Sequence, residues 1–309
     1  MSLRHWICVV ILGFAFGTSF AFNEVLLTYS GPLTVSAGRV LMAAIGCWIW
    51  VYGSGRAVHV PRRDIPRIAL FGVFQFAAPF AFLPLAQQQI TSSAAGIANA
   101  MTPLAVVIVS HFWSGGDRAT PRTLSGVLLG LVGIVVLTSG VSITEGSDPK
   151  YVGIALLAPL CYALALNTIR TLKCKDPFVS VTWALTLGAL AICPLAILIE
   201  GSPGALPLRV LALYTLFGFV FTAAAFVWMH QLRPVVGATN ISLVTFIAPL
   251  SALGIGSVAL GEQIGMHHMG GATLILTGLL VLDGRLIRFR HRTTPGTSRM
   301  TRAERYQPD

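Results

Sequence analysis

Charge is scarce in this 309-residue sequence, and acidic charge above all. Only 10% of residues are Asp, Glu, Lys or Arg, with 21 basic residues against 11 acidic ones. Soluble domains carry roughly 25% charged residues, so a water-soluble globule is excluded. Lysine is nearly missing, three against 18 arginines. The five cysteines, Cys8, Cys47, Cys161, Cys174 and Cys193, are scattered, mostly in apolar runs. Without a CxxC spacing they indicate neither a disulfide framework nor a zinc site, and they read as small packing residues. The sequence has no HExxH, no Walker-type phosphate loop, no GxSxG and no Gly-Asp constellation of intramembrane proteases. An intramembrane enzyme therefore lacks its nucleophile, base or metal, and no nucleotide-driven motor or cofactor is indicated. The adjacent His267-His268 do not share a helix face, which argues against a metal site.

What the chain has instead is apolar length. It is 55% hydrophobic with a mean hydropathy of +0.77, and continuous runs recur that can cross ~30 Å of hydrocarbon. The runs do not alternate, so a transmembrane β-barrel is excluded. Ten spans are predicted, at 5–28, 32–52, 65–87, 92–112, 123–139, 151–169, 177–199, 208–231, 235–260 and 267–287. Arg4 followed by apolar residues resembles a signal peptide. However, that run continues to Phe22, beyond the 7–15 residues typical of such a segment, and reads as the first span.

The chain repeats itself. Pro103 recurs as Pro249 at a shift of 146, and Gly133 as Gly278 at 145. Gly116-Asp117 recurs as Gly261-Glu262, Pro32 as Pro177, and Phe71-Gly72 as Phe217-Gly218. Five spans per copy is an odd number, so the second copy enters the membrane from the opposite side. The expected fold is an all-α polytopic membrane protein of ten transmembrane helices, built as two inverted five-helix repeats over 1–145 and 146–287. Residues 288–309 are expected to form a basic, disordered tail held loosely at anionic lipid. Such inverted repeats are typical of transporters that alternate access around a central site.

Basic residues set the expected orientation. With the N-terminus inside, 18 of them fall in inside segments, while Lys150 and Arg209 fall outside and Arg39 lies within a span. Both termini are then cytoplasmic, in a multi-pass protein of the cytoplasmic membrane. Because the positive charge sits in short loops and the tail, it does not indicate nucleic acid.

Several motifs, in order, resemble the drug/metabolite transporter superfamily, EamA type. They are Phe16-Gly17-Thr18-Ser19-Phe20 in the first span and Pro32-Leu33 with Gly38-Arg39-Val40 in the second. Thr91-Ser92-Ser93-Ala94-Ala95-Gly96 with Thr102-Pro103-Leu104 follows in the fourth, and Leu260-Gly261-Glu262 with 270–278 closes the series. The chain departs from the pattern at Glu24, at Gln87-Gln88-Gln89 and at Asp117. The resemblance implies export or uptake of a small metabolite, an amino acid, nucleoside or amphipathic drug, by alternating access.

Ionisable groups inside a span are costly and mark candidate sites. Glu24 and Arg39 are centred on 31.5, which places them at one height if the turn at 29–32 closes a hairpin, ~11 Å below it at 1.5 Å per residue. They are predicted to lie within reach of each other. If Arg39 neutralises Glu24 the pair is structural; if water separates them, Glu24 can couple protons or hold a substrate amine. Gln75 and Asn99 are deep amides that must meet a helix, water or substrate. Trp183 and Trp228 are candidates for an aromatic substrate wall, or for packing. Pro103 and Pro249 either act as hinges or set static helix shape. A secondary transporter for a small-molecule substrate in a lipid bilayer, export favoured, is the leading reading. A non-transporting membrane scaffold or sensor is the alternative, and oligomeric state is not read from the sequence.

Overall fold

The computed structural model describes residues 3–56, 58–114, 118, 120–139, 148–169, 176–236 and 244–283. Among these, ten helical spans follow one another. They are α1 (Leu3–Leu27), α2 (Pro32–Gly53), α3 (Ile65–Gly72, Val73–Ala77 and Ala78–Gln87), α4 (Ser92–Asn99 and Thr102–Phe112) and α5 (Pro121–Ser139). The second set is α6 (Pro149–Ile169), α7 (Pro177–Glu200), α8 (Leu208–Gly218, Phe219–Ala224 and Ala225–Val236), α9 (Val244–Leu260) and α10 (Met266–Asp283). Seven spans are, in their described residues, long and apolar enough by themselves to cross a bilayer. Prolines mark the starts: Pro32 and Pro177 occupy the first turns of α2 and α7, where the missing N–H costs nothing. The side on which α1 begins is called the near side below, and the other the far side.

Two boundaries differ from expectation. Val235, expected in the ninth span, still belongs to α8, and α9 is described only from Val244. The fourth span is broken at Ala100-Met101. Pro103 cannot donate to the carbonyl of Asn99, and that carbonyl takes the Thr102 hydroxyl instead, at 2.7 Å. Pro249, its counterpart, leaves α9 continuous. Gly116-Asp117, Cys174, Asn240 and the basic tail lie outside the described residues.

The packing exchanges under the sequence repeat. α5 lies on its own counterpart α10: a Cβ on Gly133 would meet Gly271 and Ile275, and one on Gly278 would meet Gly126 and Gly130. Adding 145 to 126, 130 and 133 gives 271, 275 and 278. Gly188 of α7 likewise backs onto Gly72 of α3, while Gly218 of α8 backs onto Met42 and Ala43 of α2. α2 packs against α7 and α4 against α9, each again its own counterpart, and α1–α9 is matched by α6–α4. This is a pseudo-two-fold relating two inverted five-helix repeats. The match is incomplete: α3 packs closely along α6, whereas α8 meets α1 at fewer points, and α2 packs more on α3 than α7 does on α8.

Both copies interrupt their third helix with a π-helical turn at the same place, Val73–Ala77 and Phe219–Ala224, offset by 146 at the start. A π turn inserts a residue and leaves main-chain groups locally displaced, and such turns are common at functional sites.

Carboxylates tie the repeats together on the far side. Glu200, at the end of α7, accepts from the Leu33 and Thr34 N–H groups at 2.8 Å each and from the Thr34 hydroxyl at 2.7 Å. Glu262, between α9 and α10, accepts from the N–H groups of Ser92 (2.7 Å) and Ser93 (3.1 Å) and from the Ser93 hydroxyl. Each satisfies orphan donors at a helix N-terminus, where the macrodipole favours negative charge. On the near side Arg56, just past α2, pairs with Asp176 at the start of α7 at 2.9 Å.

Candidate functional site

A cavity of about 400 Å³ lies between the repeats. Its walls come from α1, α2, α3 and α4 of one copy and α6, α8 and α9 of the other. Four phenylalanines, Phe16, Phe20, Phe80 and Phe226, supply much of the apolar lining. Its polar lining includes Arg39, Gln75, Asn99 and Tyr162.

Arg39 is only 4% exposed, in the middle of the protein. Its Nε donates to the Thr222 hydroxyl at 2.9 Å and its Nη2 to the Ser19 hydroxyl at 3.2 Å. The guanidinium carbon sits 3.6 Å from the Phe80 ring centre and 4.2 Å from that of Phe217, contacts in which the ring faces attract the cation. Thr222 belongs to the π turn of α8, and its hydroxyl also donates to the Phe217 carbonyl five residues back, at 3.0 Å. The π turn of α3 presents Gln75 to the same cavity. The two irregular turns thus place a polar group from each repeat at or beside the cavity.

The expected Glu24–Arg39 pair is not formed. Among the described residues the ion pairs are Arg56–Asp176 and Arg67–Asp64. The helix ends explain this. α1 stops at Leu27 and α2 starts at Pro32, so the hairpin centre is 29.5 rather than 31.5. Arg39 then faces the level of Ser19 and Phe20, and Glu24 lies about 6 Å nearer the turn. Glu24 accepts a long contact, 3.5 Å, from Gln87 Nε2 and does not line the cavity.

Above the cavity, Gln87 closes the far end. Its Nε2 donates to the Phe20 carbonyl at 2.8 Å, and its Oε1 accepts from Asn23 Nδ2 at 2.9 Å. In the sequence Gln87 stands out only as a departure from a family pattern, and nothing there singles out Asn23 or Thr222. Asn99 lines the cavity with its Oδ1 buried and unpartnered.

Neither tryptophan lines the cavity. Trp183 donates from its indole N–H to the Val58 carbonyl at 3.1 Å and meets Trp48 edge-on, pinning the chain that follows α2. Trp228 lines a separate groove of about 830 Å³ between α1, α2 and α8, with Ile11 and Trp50. Pro249 lines the cavity, whereas Pro103 opens the second half of α4 beside it. Among the described residues no group of His, Cys, Asp or Glu is placed to hold a metal ion.

Ten apolar spans in two inverted copies around one central cavity define a multi-pass membrane protein built like a carrier. A profile of the EamA-like transporter family matches residues 4–139 and 149–282, and the chain belongs to that family of membrane transporters. It is 22% identical to an uncharacterized transporter of Archaeoglobus fulgidus, over 91% of this chain and 99% of that one. It is 23% identical to a WAT1-related chloroplastic protein of Arabidopsis thaliana, over 91% and 70%, and 24% identical to the protein PecM of Dickeya dadantii, over 86% and 88%. A solved crystal structure with 18% identity shares the fold at a TM-score of 0.61, covering 91% of this chain and 98% of the other.

Proposed function

We propose that this chain is a secondary transporter that moves a small metabolite or amphipathic compound across the cytoplasmic membrane, with export as the working direction. Movement would follow from alternating access between the two repeats, not from any bond-breaking chemistry. The observation that carries this reading is the position of the cavity. It lies between the copies, walled by both, in a fold whose helix contacts exchange under the repeat. A protein with two equivalent but opposed halves has two ways of closing over such a site, exchanged by the pseudo-two-fold. Here the far end is shut by Gln87 on Phe20 and Asn23 and by Glu262 on the start of α4. That corresponds to one of the two closures.

Arg39, Gln75 and Asn99 form the proposed substrate site, while Trp183 and Trp228 are left out of it because they lie elsewhere. Glu24 is the residue through which proton coupling would act, one residue beyond the cavity-lining Asn23 and in contact with the closing Gln87. Pro103 and Pro249 are the proposed bending points of the two counterpart helices.

The test is flux in liposomes containing only this protein, loaded with a labelled metabolite panel and run with and without a pH gradient. Flux of at least one solute, with Glu24→Gln removing the response to the gradient, is expected. Absence of protein-dependent flux for every solute under both conditions sinks the transporter mechanism.

A further inference from the structure

We infer that the cavity takes an organic anion, an apolar or aromatic monocarboxylate, in preference to a cation, a zwitterion or a neutral analogue. This rests on the transport reading and names its substrate class.

Arg39 carries the argument. Arginine keeps its charge in proteins, and a buried charge is ordinarily paired. Yet no carboxylate among the described residues pairs with it. Two of its N–H groups meet hydroxyls, Thr222 and Ser19, and its flat faces meet Phe80 and Phe217. These contacts hold the guanidinium still without neutralising it. Its second terminal nitrogen, Nη1, makes no hydrogen bond among the described residues. Arg39 itself lines the cavity. A planar fork of donors with a free edge suits a carboxylate.

The rest of the lining fixes the body of the ligand. Phe16, Phe20, Phe80 and Phe226 offer ring faces and edges to an apolar or aromatic group, and about 400 Å³ suits a small molecule. Asn99 Oδ1 is an acceptor lacking a donor, which a hydroxyl on the ligand body would supply and the carboxylate would not.

The same lining argues against an amine. Among the described residues no Asp or Glu lines the cavity, and Glu24 is turned to Gln87 instead. An ammonium group, alone or in a zwitterion, would enter beside an unpaired guanidinium and find no counter-charge. An amide of the same shape would leave Arg39 as unneutralised as it is when the cavity is empty.

The experiment compares four ligands with one ring and different charge: phenylacetate, phenylacetamide, phenethylamine and phenylalanine. Binding to the full-length purified protein is measured by calorimetric titration at pH 7.5, followed by exchange flux in liposomes for whichever ligand binds. Phenylacetate is expected to bind at least tenfold more tightly than each of the others. Arg39→Gln should erase that preference and Arg39→Lys should retain part of it. The wild-type series decides the matter even if the variants do not fold. Equal or tighter binding of the amide, the amine or the zwitterion overturns the inference, as does absence of phenylacetate binding at 10 mM. If a neutral or cationic ligand binds and is exchanged, the anion inference falls while the transporter reading stands. If no ligand is exchanged and the wider panel also shows no flux, the transporter reading falls with it.

Discussion

Gln87 is a single amide that joins two helices at the closed end of the cavity. It gives two N–H contacts, to the Phe20 carbonyl and toward Glu24, and takes one from Asn23. Replacing it with leucine leaves Asn23 buried without its partner. Loss of an interhelical bond and its unsatisfied donor is expected to cost about 1–2 kcal/mol. Unfolding in detergent checks this, and a Gln87→Leu protein as stable as the parent would show the bond to be idle. Arg39 and Gln75 stood out in the sequence as ionisable and amide groups in apolar helices, and both line the cavity. Which partner Arg39 takes was not legible. It depends on where the α1–α2 turn is centred, and an error of two residues there moves Glu24 by about a helix turn relative to Arg39. Which of the two roles the tryptophans take was not legible for a related reason: apolar span residues face either the interior or the lipid, and composition does not say which.

At the scale of elements, α4 and α9 are counterparts that have taken different shapes. α4 is broken before Pro103, and α9 runs through Pro249. The prolines were legible and the difference was not, since the same residue in the same repeat position gives opposite outcomes. α4 is also held from the far side by Glu262. In Glu262→Gln the charge on that helix end is lost, a weakening of about 0.5–2 kcal/mol. If this contact helps shut the far side, a cysteine replacing the cavity-lining Ala100, with the native cysteines removed, should react faster with an impermeant thiol reagent added from that side. Glu200→Gln, which loosens α2 instead, is the matched control and should leave the rate unchanged. Equal rates in both variants would remove Glu262 from the closure. The π turns in α3 and α8 left no sequence signal of their own, because a one-residue insertion preserves composition and only shifts the phase of the helix.

For the whole molecule, the ten-span layout and the repeat were readable because bilayer thickness and the matching Gly and Pro positions impose them. The packing that realises the repeat can be challenged where glycine allows the closest approach. Gly278→Leu forces a side chain against Gly126 and Gly130, and Gly133→Leu one against Ile275. Each should destabilise by about 1–3 kcal/mol through overpacking. Gly254→Leu, where a Cβ meets nothing, should change stability little. Equal effects at all three positions would mean that α5 and α10 are not packed as described. Orientation is open to direct labelling. With arginine concentrated on the near side, a cysteine at Ser202 should be reached by an impermeant reagent from outside intact cells, and one at Ser54 should not.

The matching π turns also bear on ancestry. Val73–Ala77 and Phe219–Ala224 occupy the same place in the two copies, and the same rare insertion arising twice at equivalent sites is the less economical history. A single insertion in a five-helix ancestor, followed by duplication, leaves both marks. That ancestor would have been half this length and would have paired with a second copy of itself facing the other way. The joined chain freed the two halves to diverge: Ala184 stands where the second copy would repeat Arg39, and Phe76 where the first would repeat Thr222, so their contact is made once and not twice.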